Sequence, residues 1–340
     1  MIVGEKVWLL NLDQIEPHTG ALLSKGYVDP SSLGTSTHTF DDGNVLYSKL
    51  RPYLNKVLIP DAAGYCTSEL VPMRPNQELV TREYLAAYLR SPFFLDWVSQ
   101  QVDGAKMPRV SMKVLWEHMV ELPFIDEQNY IVALLERAGS IRRKRKKASR
   151  LAAELERSKF VEMFGEPQTN AKDLPMTTFG EIARLKSGEF LPSHEMAGRG
   201  GVLVYGGNGV NGEHDKVMFE EVKLVIGRVG AYCGAVHLTK PHSWITDNAL
   251  YVSQISPQVR LEYLAFALTQ ANLNQYSSQS GQPLVSASRL YDVKLVLPTL
   301  SLQDDFLQVL KRTQLIQKSQ ANSLFGIEEM MRSLSVKFFK

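Results

Sequence analysis

The side chains most able to do chemistry in this sequence are cations and amides. Lys49, Arg51 and Lys56 share one short stretch, and Lys106 and Arg109 flank a Met-Pro pair in GAKMPRVS. Further along stand Lys186, Asn208, Asn211, His214, Arg228 and Arg289. Arginine and lysine can pair with the acceptor edge of guanine, and asparagine and glutamine with adenine. On loops and strand ends these residues suit DNA contact. Each alone is more often a plain surface residue; what points to DNA is that equivalent loops recur in two halves of the chain.

A run of six consecutive cations covers 142–147 (RRKRKK). On a helix such a run is usually a solvated face. Like charges three and four residues apart also weaken the helix, which a nearby polyanion or an acidic partner protein would offset.

Enzyme signatures are missing. There is no phosphate loop, no Asn/Asp-Pro-Pro-aromatic motif of amino-nitrogen methyltransferases, no Gly-x-Ser-x-Gly, and no histidine pair at ligand spacing. Gly207, Gly209 and Gly212 spell G-x-G-x-x-G after an apolar run. A dinucleotide fingerprint needs a helix to open next, whereas Glu213–Lys216 and another strand-like run follow. Asp215 with Glu221 and Lys223 loosely matches a metal-dependent nuclease core, but in one half only. A binding module without metal or cofactor accounts for this better than an enzyme.

The chain has 340 residues, 44% hydrophobic and 22% charged, with a net charge of +2. That implies two globular domains rather than a disordered polycation. Its two cysteines, Cys66 and Cys233, exclude a disulfide scaffold. The start lacks a basic region followed by a long apolar one, and no apolar run nears the roughly 20 residues of a membrane span. The expectation is a cytoplasmic protein with no membrane contact.

The elements that must position these residues repeat. At an offset of 175, Ser111 falls on Ser286, Leu122-Pro123 on Leu297-Pro298, Gln128 on Gln303, Arg137 on Arg312 and Phe164 on Phe339. Each half predicts short strands between turns, a helical stretch (81–98 and 260–276), a strand ending at Leu-Pro (119–123 and 293–298), then a long helix. Pro123 and Pro298 mark the helix boundaries. Beyond them, Ile131, Leu134, Ala138, Ile141, Ala148, Ala152 and Leu155 form a narrow seam at coiled-coil spacing, interrupted by Arg145. Phe306, Val309, Thr313, Ile316, Ser323, Ile327, Met330 and Leu334 form its copy, interrupted by Gln320. So narrow a seam is unstable alone in water, so the two helices, roughly 35 residues and about 50 Å each, should pair. The fold class is α+β: two similar α/β lobes joined by two long helices in a pseudo-twofold repeat. Pro167, Pro175 and the polar stretch 168–173 form the linker into the second lobe.

The blocks at 46–57 (LYSKLRPYLNKV), 65–70 (YCTSEL), 104–111 (GAKMPRVS), 122–131 (LPFIDEQNYI), 160–167 (FVEMFGEP), 205–212 (YGGNGVNG), 225–236 (VIGRVGAYCGAV) and 246–249 (TDNA) carry a family resemblance. In this order, with the repeat and the long helices, the chain resembles the specificity subunit of type I restriction–modification systems over almost its whole length. The resemblance implies a phage-defence role. Residues 1–125 and 165–300 would be target-recognition domains, each reading one half of a bipartite double-stranded DNA site. Residues 126–164 and 301–340 would be spacers that pair antiparallel and set the gap. It further implies no catalysis on this chain and docking of two methyltransferase subunits that carry S-adenosylmethionine. Motor–nuclease restriction subunits would join for cleavage. The spacer and docking residues are then Ile131, Leu134, Ile141, Leu155, Phe306, Val309, Ile316 and Ile327. The second half departs in having Leu302-Gln303 for Glu127-Gln128, and in a less basic 284–286. A lone DNA-modifying enzyme and a structural adaptor that does not read DNA are the alternatives.

Overall fold

The computed structural model describes residues 6–104, 106–166, 170–196, 200–278 and 283–339. Ala105 and the linker residues 167–169 lie outside that set. Contacts divide the chain into two units, Met1–Lys147 with Gln320–Lys340, and Ala148–Ser319.

In unit 1, Val45, Leu46 and Tyr47 form a strand that is buried throughout. It does not alternate because both its faces are covered. Val45 and Tyr47 enter one apolar core, with Phe94 and Val98, while Leu46 enters another, with Trp8 and Phe40. This strand (Val45–Ser48) sits between Val57–Leu58 and Leu70–Met73, antiparallel to both. A second, mixed sheet holds Gly26–Val28, Val7–Leu10, Gly64–Cys66 and His38–Phe40. Helix α1 (Arg82–Leu89) is capped by Thr81, and α2 (Pro92–Ser99) by Ser91 with Pro92 in its first turn. That proline splits the single helix expected over 81–98. Then come the short hairpin Val102–Asp103/Arg109–Val110, α3 (Met112–Trp116) and α4 (Ile125–Phe164).

In unit 2, α5 (Phe179–Ile182) leads into an antiparallel sheet ordered Ala183–Ser187, Ala249–Ile255, Leu224–Gly227, Val236–Leu238. Leu224 and Ile226 face the main core and Val225 a smaller one, as their counterparts do in unit 1. A hairpin, Val202–Gly206 with Gly209–His214, adds Ser243–Ile245 in parallel. Helices α6 (Leu261–Gln270) and α7 (Ala287–Tyr291) precede α8 (Leu300–Phe339). The strand expected before the second Leu-Pro exists as Lys294–Val296, held by Met176–Thr178. Its copy at 119–123 pairs with no strand among the described residues.

Helices α4 and α8 have 40 residues each, somewhat longer than expected. Within each unit they run antiparallel. In unit 2, Phe160 packs edge-on 5.5 Å from Phe306, and Glu156 accepts from Thr313 Oγ1 and Gln317 Nε2 at 2.5 and 3.2 Å. In unit 1, Ile131 shares a core with Phe339, and Arg145 Nη1 donates to Gln320 Oε1 at 2.9 Å. The two residues that interrupt the seams bond each other, a polar pair of the kind that pins register. Seam burial is partial. Ile131, Ala138, Ala152, Phe306, Thr313 and Ile327 are buried, while Ile141, Leu155 and Ile316 are exposed.

Unit 1 also holds a cluster that the repeat lacks. His118 stacks on Trp97 at 3.8 Å, and its Nε2 lies 2.6 Å from the Tyr88 hydroxyl. Burial lowers the His118 pKa, so the neutral ring is the native form. The unfolded chain, with an ordinary His pKa of about 6.5, binds that proton more readily. Stability from this ring is therefore full above about pH 6.5 and falls as pH drops below it. Melting at pH 7.5 and 5.5 should show a larger acid loss for the parent than for His118→Phe; equal losses would assign the acid sensitivity elsewhere.

Candidate nucleic-acid interface

Backbone hydrogen bonds hold the segment that carries Lys49 and Arg51 against the strand that carries Arg109. After strand Val45–Ser48 the chain continues through Lys49-Leu50-Arg51 and lies antiparallel to the hairpin strand at Arg109. Val110 N donates to Lys49 O at 3.1 Å, Arg51 N donates to Pro108 O at 2.7 Å, and Leu50 bridges Arg109. Lys106 is exposed between the hairpin strands. Arg51 adopts φ +48°, a left-handed conformation costing a non-glycine residue about 1–2 kcal/mol. Its side chain is exposed, with no polar partner among the described residues.

Two of the five are already engaged. Arg109 forks onto Glu69, with Nη2–Oε1 at 2.7 Å and Nε at 3.1 Å from both oxygens. That guanidinium holds the Glu69 carboxyl below its ordinary pKa. Lys56 donates to Leu12 O at 2.5 Å. Sequence reading placed both as free cations. Arg109 instead presents a neutralised pair, and the Lys56 ammonium is tied to backbone.

Unit 2 builds the same junction. Val285 N donates to Arg228 O at 2.9 Å, Gly230 N donates to Pro283 O at 3.0 Å, and Val229 bridges Leu284. Arg228 Nη1 reaches Ser187 Oγ at 3.3 Å, next to exposed Lys186. The glycine motif is a hairpin turn, with Gly209 at φ +86° and no helix after it. Gly207 packs in ordinary contact with Asn248 O and Gly227 Cα. Exposed Asn208 follows it, beside the Arg228 loop, whose backbone N donates to Asn248 O at 3.0 Å. Asn211 is exposed, its amide folded over Gly206. Arg289 is exposed on α7 and donates to Tyr276 O at 3.4 Å.

His214 is a correction. It is 6% exposed, packs edge-on against Trp244 at 5.2 Å, and has Nδ1 3.3 Å from Glu195 O. Buried at the far end of its hairpin, the ring presents almost no surface to a base.

Among the described residues, no three His, Cys, Asp or Glu side chains stand close enough to hold a metal. Both cysteines are buried, and burial pushes the Cys66 thiol up to about 12. No described helix is long and apolar enough to cross a membrane.

No family model matches the chain. Over 130 residues it is 33% identical to the type I restriction enzyme EcoprrI specificity subunit of Escherichia coli, covering 37% of this chain and 32% of that one. The EcoDI specificity subunit of the same organism is 31% identical over 124 residues, 36% of this chain and 27% of the relative. The matches thus span about a third or less of these curated relatives. The fold extends further. The S subunit of a type I restriction–modification system from M. genitalium superposes with a TM-score of 0.62 at 16% identity, covering 100% of this chain and 90% of that one. The fold is that of a type I restriction–modification specificity subunit. A chain from a structure describing complex assembly and conformational transition of a type I R-M system gives 0.60 at 19% identity, over 98% and 91%.

Within the specificity-subunit fold, two aromatics escaped the sequence reading. Tyr53 and Tyr232 are 46% and 53% exposed on equivalent 3-10 turns, Pro52–Leu54 and Gly230–Tyr232, just after the junction in each unit. The signal was a shared offset of 179, which relates Tyr53 to Tyr232 as it relates Lys49 to Arg228. Glu69 was also missed, because its role depends on a partner 40 residues away.

Proposed function

We propose that this chain is the DNA-recognition subunit of a type I restriction–modification complex. The observation that carries the reading is the junction built twice with different side chains. Lys49-Leu50-Arg51 lies on 108–110 in unit 1, and Arg228-Val229-Gly230 on 283–285 in unit 2. One backbone device with two side-chain sets suits two readers of different short sequences. Residues 1–125 and 165–300 are the two target-recognition domains, and the helical spacers 126–164 and 301–340 set the gap. Lys49, Arg51, Lys106, Lys186, Asn208 and Arg228 are the contact residues; Tyr53 and Tyr232 offer flat apolar faces beside them. Phosphate contacts supply affinity that weakens with salt, and base contacts supply specificity.

The chain contributes no reacting group. Two methyltransferase subunits dock on the helices and adjacent lobe surfaces and bring S-adenosylmethionine; motor–nuclease subunits join for cleavage. Trp116, Met119, Phe124 and Tyr130 support docking in unit 1, being 61%, 88%, 89% and 61% exposed. Their repeat positions are Tyr291, Lys294, Thr299 and Asp305, which points to unequal docking in the two halves. This function places the protein in the cytoplasm, with the DNA.

The test is genome-wide mapping of N6-methyladenine after co-expression of the full chain with its methyltransferase subunit in a methylation-free host. The expected result is one asymmetric bipartite motif with a fixed gap, lost when the chain is omitted. Methylation indifferent to the chain would favour the adaptor role, and methyl transfer to DNA by the chain alone would overturn its non-catalytic one.

A further inference from the structure

The cationic run 142–147 lies in the middle of α4, around Arg145, whose guanidinium turns into the helix pair to meet Gln320. With Arg145 in the seam, the 3.6-residue period puts Arg143 and Lys147 on the opposite side and Lys144 and Lys146 on its flanks. All four are exposed. Among the described residues, none of them has an acidic side chain in ion-pair range. The reason is visible in composition: α4 has no Asp or Glu from 137 to 153, and α8 has none from 306 to 327.

Helix packing does not require this charge. The repeat places 142–147 on 317–322, which reads Gln-Lys-Ser-Gln-Ala-Asn and occupies the same position in α8. A segment with one cation, Lys318, therefore serves there equally well. On α4 the like charges act against the helix. The five cations outside the seam lie within five residue steps, about 7.5 Å of axis, or one per roughly 1.9 Å. Duplex DNA carries one negative charge per about 1.7 Å.

We propose that Arg143, Lys146 and Lys147, flanked by Arg142 and Lys144, grip the phosphate backbone of duplex DNA without regard to sequence. The site adds non-specific affinity to the contacts made by the lobes. It rests on the DNA-binding reading only for the identity of the polyanion.

The test uses the assembled complex carrying Arg143→Gln, Lys146→Gln and Lys147→Gln, titrated against cognate and scrambled duplexes over a range of salt. Each phosphate contact contributes about 0.9 to the slope of log K against log salt, so the slope should shrink by about 2–3 for both duplexes. The methylation motif should stay the same. The charge-keeping variant Arg143→Lys, Lys146→Arg, Lys147→Arg should retain the parent slope. An unchanged slope in the glutamine variant would overturn the proposal. So would loss of a protein subunit from the complex at unchanged slope, which would assign the run to an acidic partner. Equal weakening by the charge-keeping variant would overturn it as well. If the parent shows no sequence preference while the slope still falls, the site stands and the lobe-reading function fails.

Discussion

Replacing Gln128 with Ala is expected to lower the stability of unit 1 by about 3–5 kcal/mol, one of the largest effects of any single substitution here. The side chain is 0% exposed, and its amide is fully used. Oε1 accepts from Thr81 N at 2.9 Å, and Nε2 donates to Leu79 O at 2.8 Å and Pro123 O at 2.9 Å. Truncation removes the partner of one backbone donor and two acceptors in part-buried positions, each costing about 1–3 kcal/mol where water does not replace the amide. Gln303 does the same in unit 2, with Arg260 N at 2.8 Å and Gln258 O and Pro298 O at 2.9 Å. Each glutamine ties the start of a lobe helix to the proline before a long helix. For domains of this size the expected fall in melting temperature is roughly 10 °C. The two substitutions act in different units, so their costs should add. Chemical denaturation of both single variants and the double variant checks this. A loss under about 1 kcal/mol would show that water replaces the amide, and that the three bonds are not what holds these segments.

Phe164→Ala is expected to cost about 3–5 kcal/mol, and to loosen unit 2 selectively. Phe164 is 0% exposed, with its ring 5.2 Å from Tyr263 and 5.5 Å from Phe306. Its repeat partner Phe339 packs 5.5 Å from Tyr84 and 5.8 Å from Tyr88, in the core of unit 1. The last turn of each long helix therefore completes a lobe core, and Phe339→Ala should loosen unit 1 instead. Hydrogen exchange reads this directly. Phe164→Ala should speed exchange in α6 and leave α1 protected, and Phe339→Ala should do the reverse. Equal loosening of both helices by either variant would show that the two cores are one cooperative unit.

Much of the architecture was legible because it is local or repeated. Pro123 and Pro298 end one element and start another by removing a donor and fixing φ, whatever surrounds them. The seam interruptions at Arg145 and Gln320 stood out against their apolar neighbours. The strand at 119–123 was not legible. Its copy forms only because Met176–Thr178 lies beside it, and a lone strand has no ladder to join. The seam spacing also overstates burial. Ile141, Leu155 and Ile316 fit the spacing and yet are exposed, because the period states which residues share a face, not how closely that face is covered.

For the interface, the sequence alone determined the residue types, their recurrence in two halves, and the absence of a catalytic motif. Those follow from composition and spacing. Only the tertiary structure decided which cations are available. Arg109 is neutralised by Glu69, Lys56 is tied to a carbonyl, and His214 is buried against Trp244, while Lys49 and Arg51 are joined to 108–110 by two backbone bonds. A charge or an amide is defined by its own atoms, but its freedom to meet a ligand is set by neighbours that arrive from tens of residues away, and no local pattern encodes them.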